Sequence, residues 1–256
     1  MKVGTKRDEV QEFVKGNEIG FVPTMGALHE GHLSLVRESQ RRGLVTVVSI
    51  FVNPTQFNNP RDFEKYPINL ERDKQMLSEV GCDFVFIPQV SEIYRSNDDS
   101  RKYHHEFPQL EALYEGAFRP GHFKGVAQVV HIFFDIVKPA VAFFGEKDFQ
   151  QLAVIRELVK QMHSDINIVG LPTKRENDGL AMSSRNQRLS PEQREKAVLL
   201  FKSLTFAVDN LKTASIQDIK KKVEQWFGEA PELRLEYFDI IDPSSFQAVS
   251  NSSNGN

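Results

Sequence analysis

Five short apolar runs separated by amphipathic stretches constrain the fold of this chain more than any other feature. Each run is apolar at consecutive positions, as expected for a strand buried on both faces of a parallel sheet. The stretches between them repeat apolar residues at helical spacing. We therefore predict an α/β domain whose parallel sheet is wrapped by helices. The predicted strands cover residues 19–22, 45–52, 83–87, 140–144 and 166–171, and the predicted helices cover residues 33–42, 70–80, 126–137 and a stretch from residue 152.

Beyond a polar segment at residues 172–190, the chain changes character. Ser190 followed by Pro191 is a typical helix start, with the serine as N-cap and the proline at the first helical position. We predict helices over residues 191–211 and 216–227 and a strand over residues 235–241. The predicted domains are therefore a Rossmann-like domain at residues 1–172 and a smaller α+β domain at residues 173–256. The tail at residues 250–256 should be frayed.

Composition limits the classes of protein to consider. With 256 residues, of which 40% are hydrophobic and 26% charged, the chain is neither disordered nor fibrous. A net charge of -3 gives no general attraction to nucleic acid or anionic membranes, so phosphate binding must be local. The single Cys82 fits a reducing compartment, and no run approaches the ~18 apolar residues of a membrane span. We expect a cytoplasmic protein that binds neither nucleic acid nor membranes.

A turn after the first predicted strand carries the most informative motif, Met25-Gly26-Ala27-Leu28-His29-Glu30-Gly31-His32. Glycines at two positions would let phosphate oxygens approach the backbone, and the N-terminus of the next helix favours anions. The two histidines would add side-chain donors. Because such histidine pairs also occur in turns that bind nothing, the motif alone is weak support for a nucleoside triphosphate site.

Two further polar segments follow predicted strands, at the sheet edge where α/β proteins bind ligands. Asn53 and Gln56 come after the strand at residues 45–52, and the alternative role for them is turn formation. The segment after the strand at residues 140–144 combines a glycine, a cation and a carboxylate suited to a phosphate and a ribose. Its candidate residues are Gly145, Glu146, Lys147, Asp148 and Gln151. The alternative is that Asp148 only caps a helix and Lys147 is a surface charge.

The polar segment between the two domains contains another candidate, formed by Met182, Ser183, Ser184 and Arg185. Two hydroxyls and a guanidinium can donate to a polyphosphate, and a loop can close during turnover. The alternative is a solvated turn. Arg119 lies in a basic, glycine-containing loop at residues 119–125 and is a further candidate.

The remaining histidines suggest no further site. We expect His104 and His105 to be solvated surface residues and His131 to pack within a helix. No set of cysteines and histidines has the spacing of zinc ligands, so we predict no protein-held metal.

Together, these motifs resemble the pantothenate synthetase family of pantoate–β-alanine ligases, which belongs to the nucleotidyltransferase group of the HIGH superfamily. The similarity is collinear from about residue 19 to residue 189, and its five motifs lie at residues 23–32, 49–57, 119–123, 144–152 and 178–186. The resemblance implies a Rossmann-like N-terminal domain, a smaller C-terminal lid domain and a homodimer.

The resemblance also implies a two-step reaction. ATP and pantoate form pantoyl adenylate and pyrophosphate, and β-alanine then displaces AMP to give pantothenate. ATP is thus a co-substrate, and the expected Mg²⁺ would be held mostly by phosphate oxygens. His32 matches the position of the family's proton donor, and its residue type leaves its protonation state open. The residues that the resemblance assigns to catalysis around the phosphates are His29, His32, Lys147, Ser183, Ser184 and Arg185.

Ligand contacts follow from the same resemblance. Gly145 and Asp148 are expected at the ribose. Gln56 and Gln151 match pantoate ligands, and Gln56 also matches the β-alanine site. Further expected ligand neighbours are Asn53 and Arg119. The positions that match ATP contacts are Met25, Gly26, Ala27, Leu28, His29, Glu30, Gly31, His32, Gly145, Glu146, Lys147, Asp148, Lys174, Met182, Ser183, Ser184 and Arg185.

Two departures from the family pattern stand out. Lys174 occupies a position where relatives often carry an apolar residue, although the expected contact there is through the backbone. The chain also stops where family members usually continue with another strand pair. This leaves a shortened, a divergent or a truncated lid as alternatives.

Two other functions are alternatives to the ligase. Another nucleotidyltransferase of the superfamily would act on a phosphorylated acceptor, which would favour Arg or Lys in place of Gln56 and Gln151. A catalytically inactive adenylate-binding protein would fit the short C-terminus. The intact His29, His32 and Lys147, together with Arg185, argue against it.

Overall fold

The computed structural model of this chain describes residues 1–96, 98 and 100–249. The tail predicted to be frayed, at residues 250–256, lies outside the described residues. The chain divides into two compact units, Met1–Lys174 and Arg175–Asn256. The functions that the resemblance gives to these two parts of the chain stay predictions.

The described part of the first unit contains one sheet of six parallel strands, in the order β1-β4-β3-β2-β5-β6. The predicted parallel α/β fold is thus confirmed. Each of the five predicted strands matches within two residues at either end. The edge strand β1 was not predicted, because it is only three residues long and its Val3 is exposed. The strands are β1 (Lys2–Gly4), β2 (Ile19–Thr24), β3 (Val45–Ile50), β4 (Phe84–Phe86), β5 (Val141–Gly145) and β6 (Asn167–Leu171).

Helices bury both faces of this sheet, which explains the consecutive apolar residues of its strands. Phe21 and Val47 belong to one buried cluster, and their neighbours Val22 and Val48 belong to the other. The first cluster includes residues of α1 (Arg7–Val14), α8 (His122–Val137) and α9 (Phe149–Gln161). The second includes residues of α2 (Glu30–Arg41) and α4 (Leu70–Glu79).

Helix α8 begins four residues earlier than predicted, so most of the segment at residues 119–125 is helical rather than a loop. The glycines of this segment were the reason for predicting a loop. Gly121 precedes the helix with φ 78°. Gly125 lies inside the helix, and it is a glycine because a Cβ there would come within 2.5 Å of the Thr55 carbonyl oxygen. The remaining short helices of this unit are α3 (Pro60–Glu64), α5 (Val90–Ile93), α6 (Pro108–Glu111) and α7 (Tyr114–Phe118), and short 3-10 turns lie at Pro54–Gln56, Ser100–Tyr103 and Glu146–Asp148.

In the described part of the second unit, a 3-10 turn at Ser184–Arg188 is followed by α10 (Pro191–Ala197), α11 (Leu199–Asn210) and α12 (Ile216–Gly228). Ser190 caps α10 as predicted, because its Oγ accepts the Gln193 N–H at 3.2 Å. The predicted helix at residues 191–211 is two helices that meet at Val198. None of the helices in the described part of the chain has both the length and the apolar character needed to cross a bilayer.

The prediction of a strand over residues 235–241 is wrong, because the structure has no strand there. The segment makes only a single antiparallel bridge there, between Ile241 and Ala248. A strand needs a neighbour that pairs with it over several residues, and this segment has one bridge.

Candidate active site

The sheet order reverses at β2, which brings three of the predicted motifs to one edge of the sheet. The chain passes from β2 to β3 on one side and reaches β5, on the other side of β2, only after β4. In open α/β sheets such a reversal opens a ligand-binding crevice at the carboxyl ends of the strands. The turn at residues 25–32 follows β2, Asn53 and Gln56 follow β3, and Gly145 ends β5.

The two histidines of the turn form a mutually ordered pair. His29 Nδ1 accepts the Gly31 N–H at 3.2 Å, and His32 Nδ1 accepts the His29 N–H at 3.3 Å. Their ring centroids are 4.0 Å apart. An accepting Nδ1 carries no proton, so each neutral ring has its hydrogen on Nε2. Both histidines are therefore Nε2–H donors.

Electrostatics favours the same neutral form. Burial, followed by the Lys147 charge, lowers the pKa of His29 to about 4. Burial, His29 and Lys147 together lower the pKa of His32 to about 3. The residue type of His32 left its protonation state open, and its surroundings favour the neutral imidazole at physiological pH.

Gly31 is required by packing against the histidine ring. A Cβ added to it would lie 2.8 Å from Cε1 and Nδ1 of His29. The same added atom would lie 3.9 Å from Lys174 Cβ, so Lys174 flanks the start of α2. Glu30, another predicted ATP contact, directs its carboxylate to Arg37 at 2.7 Å, along the outside of the helix.

Three backbone amides of the turn donate hydrogen bonds within the protein. Gly26 and Ala27 both have positive φ, 79° and 48°. The N–H groups of Ala27 and Leu28 donate to the two carboxylate oxygens of Asp73, each at 2.8 Å. The Gly26 N–H donates to Thr24 Oγ1 at 3.2 Å. These three amides are therefore occupied within the protein, and the imidazole Nε2–H groups are the side-chain donors of the turn.

Asp73 was missed by the sequence analysis. Its side chain is 1% exposed, on the face of α4 that also carries Leu70 and Leu77. The available signal was a carboxylate at an apolar position of a helix, three residues after one leucine and four before another. A buried charge at such a position needs hydrogen-bonding partners.

Lys147 and Asp148 lie on the short turn between β5 and α9. Lys147 Nζ donates to Asp148 Oδ1 at 2.9 Å, and the two side chains are 36% and 49% exposed. Asp148 makes no side-chain hydrogen bond to the first N–H groups of α9, so the alternative of a simple helix cap is wrong. The adjacent Glu146 is exposed, and Gln151 is half-buried in the first turn of α9.

A buried amide cluster forms beside the histidine turn. Asn53 Nδ2 donates to Gln56 Oε1 and to the Gly125 carbonyl, both at 3.1 Å. Asn53 Oδ1 accepts the Tyr94 hydroxyl at 2.7 Å. Because Gln56 Oε1 already accepts, its Nε2 is the atom left to donate, and it lies 3.1 Å from Met25 Sδ. The cluster thus directs an amide N–H towards the turn.

The start of α8 closes this cluster from another side. His122 is buried, and its Nδ1 lies 2.7 Å from the Gln56 carbonyl oxygen. Burial and the Arg119 charge lower the pKa of His122. Arg119 itself is bound to Glu115 at 2.6 Å. Tyr94 and His122 were not predicted as site residues, and a lone tyrosine in a polar segment gave no usable signal.

The remaining predicted site residues lie in the second unit. Ser183 Oγ accepts the Arg185 N–H at 3.3 Å, which starts the turn at Ser184–Arg188. Ser184 is buried and Met182 is half-buried. The segment forms a turn, but not the solvated turn of the alternative, and the catalytic role of these residues stays a prediction.

Outside the candidate site, one histidine prediction needs correction. His105 is half-buried rather than solvated, because its Nε2 lies 2.8 Å from His131 Nδ1 and its Nδ1 lies 3.1 Å from Gln161 Oε1. His104 is exposed, and His131 is packed on α8, as predicted. Among the residues described, no group of three or more His, Cys, Asp or Glu side chains is arranged to hold a metal ion.

Comparisons with known proteins agree on one family. The family model described as pantoate-beta-alanine ligase matches residues 2–255. A pantothenate synthetase from Bacteroides thetaiotaomicron is 51% identical over 240 residues, which cover 92% of this chain and 83% of that protein.

Solved structures give the same result. A pantothenate synthetase from Thermus thermophilus superposes with a TM-score of 0.91 at 41% identity, covering 98% of this chain and 91% of that one. A pantoate-beta-alanine ligase from Francisella tularensis, complexed with beta-gamma ATP and beta-alanine, has a TM-score of 0.78 at 35% identity and covers 88% and 86% of the two chains. With the sheet, the histidine turn and the amide cluster described above, these matches lead to one conclusion: the chain belongs to the pantoate–β-alanine ligase family.

Proposed function

We propose how the residues of this chain divide the work of its reaction, the ATP-dependent ligation of pantoate with β-alanine. The observation that carries the proposal is the pair of neutral Nε2–H donors, His29 and His32, beside the Lys147 cation and next to the amide donor of Gln56. The two histidines and Lys147 suit a polyphosphate, and Gln56 suits the oxygen atoms of a small hydroxy acid.

In the first step, a pantoate carboxylate oxygen attacks the α-phosphorus of ATP. A new P–O bond forms, the bond to the β-phosphate breaks, and pyrophosphate leaves. Two anions must approach each other, so the barrier falls when donors stabilise the charge on the phosphate oxygens. His29, His32 and Lys147 supply these donors, while Gln56 and Gln151 hold pantoate.

The protonation state defines what the histidines do. With pKa values lowered to about 4 and about 3, both imidazoles are neutral near pH 7 before ATP binds. His32 is assigned as a hydrogen-bond donor to the phosphates. The cationic contribution comes from Lys147.

In the second step, the β-alanine amine attacks the acyl carbon of pantoyl adenylate. The C–N bond forms, the amine nitrogen gives up a proton to solvent, the C–O bond to the phosphate breaks, and AMP leaves. Gln56 is assigned to both acid substrates, and Asn53 and Arg119 are assigned to their neighbourhood. Asp148 and Gly145 are assigned to the ribose.

Several finer assignments belong to the same proposal. Mg²⁺ would come with ATP and would be held by phosphate oxygens, since imidazole N–H and ammonium groups bind the phosphates rather than the cation. The family resemblance assigns Met182, Ser183, Ser184 and Arg185 to the polyphosphate and Lys174 to a contact through its backbone. The buried Cys82 supports a cytoplasmic protein, and the family resemblance supports a homodimer.

AMP release tests the function directly. We expect AMP to be released from ATP only when pantoate and β-alanine are both present, with pantothenate formed in equal amount. AMP release that is indifferent to β-alanine would refute the ligase. Pantoate-dependent exchange of pyrophosphate into ATP isolates the first step, and ATP binding without exchange would instead indicate an inactive adenylate-binding protein.

A further inference from the structure

We propose that Asp73 is a positioning residue for adenylate formation. Its carboxylate holds the peptide at Ala27 and Leu28 in place, so that His29 and His32 keep their Nε2–H groups at the phosphates. The inference rests on the proposed role of the two histidines.

The geometry is that of a two-point clamp. Asp73 Oδ2 accepts the Ala27 N–H and Oδ1 accepts the Leu28 N–H, both at 2.8 Å. Bonds of this kind, from backbone N–H groups to a charged carboxylate, are stronger than bonds between neutral groups. The clamp joins the turn after β2 to α4, which is 45 residues further along the chain.

The turn needs such a clamp because its backbone is held in an unfavourable conformation. Ala27 has φ 48°, in the left-handed region where a residue with a Cβ is disfavoured. Such conformations persist only where the surroundings fix them. On one side the Leu28 side chain is anchored in the core, and on the other the Asp73 carboxylate takes both N–H groups.

His29 follows this clamped peptide directly and is the N-cap of α2. Its N–H fixes the His32 ring, and its own ring is fixed by the Gly31 N–H. A change in the orientation of the 27–28 peptide would therefore change the orientation of both imidazole rings. Asp73 also leaves no spare room at the turn, since a Cβ on Gly26 would lie 3.0 Å from Asp73 Oδ2.

Asp73 does not contact the substrates itself in this arrangement. It is 1% exposed, and each of its oxygens is directed at a backbone amide. Its effect must pass through the turn. The substitution Asp73→Asn tests this, because the amide has the same shape but offers one acceptor oxygen and presents an NH₂ group to the other N–H.

The experiment measures pantoate-dependent pyrophosphate exchange in four variants. We expect Asp73→Asn to lower the maximal exchange rate at least tenfold, while Glu71→Gln, an exposed residue in the first turn of the same helix, stays within twofold of the parent protein. We expect Asp73→Asn to lower the rate by a smaller factor when added to His32→Ala than on its own, because part of its effect passes through His32 and residues that act through one another are not additive.

A merely structural role would lower the rate by the same factor with and without His32, and that result would overturn the proposal. An unchanged rate in Asp73→Asn would also overturn it, and would leave the ligase function intact. A parent protein without pantoate-dependent exchange would refute the function, and an unchanged rate in His32→Ala would refute the histidine role and this inference with it. If Asp73→Asn does not fold, Asp73→Glu keeps the charge but displaces the carboxylate, and the same pattern is expected.

Discussion

The backbone N–H of His29 donates to Nδ1 of His32 at 3.3 Å, so one histidine of the motif fixes the ring of the other. This bond determines the tautomer as well as the orientation, because only a deprotonated Nδ1 can accept it. The motif therefore works as one unit, in which the second ring offers Nε2–H whenever the first residue keeps its backbone conformation.

The first prediction concerns the pH dependence of adenylate formation. The pKa values of His29 and His32 are lowered to about 4 and about 3, so both imidazoles stay neutral as the pH falls through 6.5. We expect no acid limb near pH 6.5 that depends on either histidine. Pyrophosphate exchange should be followed from pH 5.5 to 8.5 in the parent protein and in His32→Gln. A decrease of the exchange rate below pH 6.5 that is absent in His32→Gln would contradict the prediction that His32 acts as a neutral donor.

His32→Ala gives the second prediction. Removing one preorganised donor to a transition state typically raises the barrier by about 2 kcal/mol or more, which is a rate loss of about 30-fold or more. We expect this loss in single-turnover adenylate formation, with a smaller effect in His32→Gln, which retains an N–H donor. Turnover that is unchanged in His32→Ala would remove this residue from the phosphate site.

The orientation of the Gln56 amide gives the third prediction. Asn53→Asp replaces the donating Nδ2 with an acceptor, so Gln56 must turn its own Nε2 towards residue 53 and present Oε1 to the substrate. We expect kcat/KM for pantoate to fall about tenfold, the effect of roughly 1.4 kcal/mol, while the KM for ATP changes little.

Asn59→Asp is the matched control for this substitution. Asn59 is an exposed cap whose Oδ1 accepts the Arg61 N–H, and aspartate can accept the same bond. Equal effects of the two substitutions on pantoate would show that added charge, rather than the orientation of Gln56, is responsible.

Gly31→Ala is the fourth prediction. The new Cβ would lie 2.8 Å from the His29 ring, which must move. We expect slower pyrophosphate exchange in a protein that still folds, because alanine is favourable in a helix. Gly228→Ala is the control, since it is also helical but has open space around it, and should leave exchange unchanged while stabilising the fold by up to about 1 kcal/mol. Equal exchange rates in both variants would contradict the packing argument.

The sequence predicted the sheet well because burial on both faces makes strands such as β2 and β3 apolar at consecutive positions. It also grouped His29, Gln56 and Lys147 correctly by their positions after strands. It could not reveal Asp73 or Tyr94, because their contacts join segments more than 40 residues apart, and one carboxylate in a helix pattern has many explanations.

The fifth prediction concerns stability in acid and the buried His131. Burial lowers the pKa of His131 to about 4, while the nearby Asp135 opposes the shift and His105 and Lys102 add to it. An unfolded chain would protonate this histidine near pH 6.5. Between about pH 6.5 and pH 4, the unfolded state binds a proton that the folded state does not, so the free energy of unfolding falls as the pH falls.

We expect His131→Gln to remove part of this loss, about 1 to 2 kcal/mol between pH 7 and pH 5, because glutamine does not titrate. Urea unfolding at the two pH values measures it. His104→Gln is the control, since His104 is exposed and precedes His105, which contacts His131. If His131→Gln loses as much stability on acidification as the parent protein does, His131 binds its proton equally well in both states, and burial on α8 does not govern its titration.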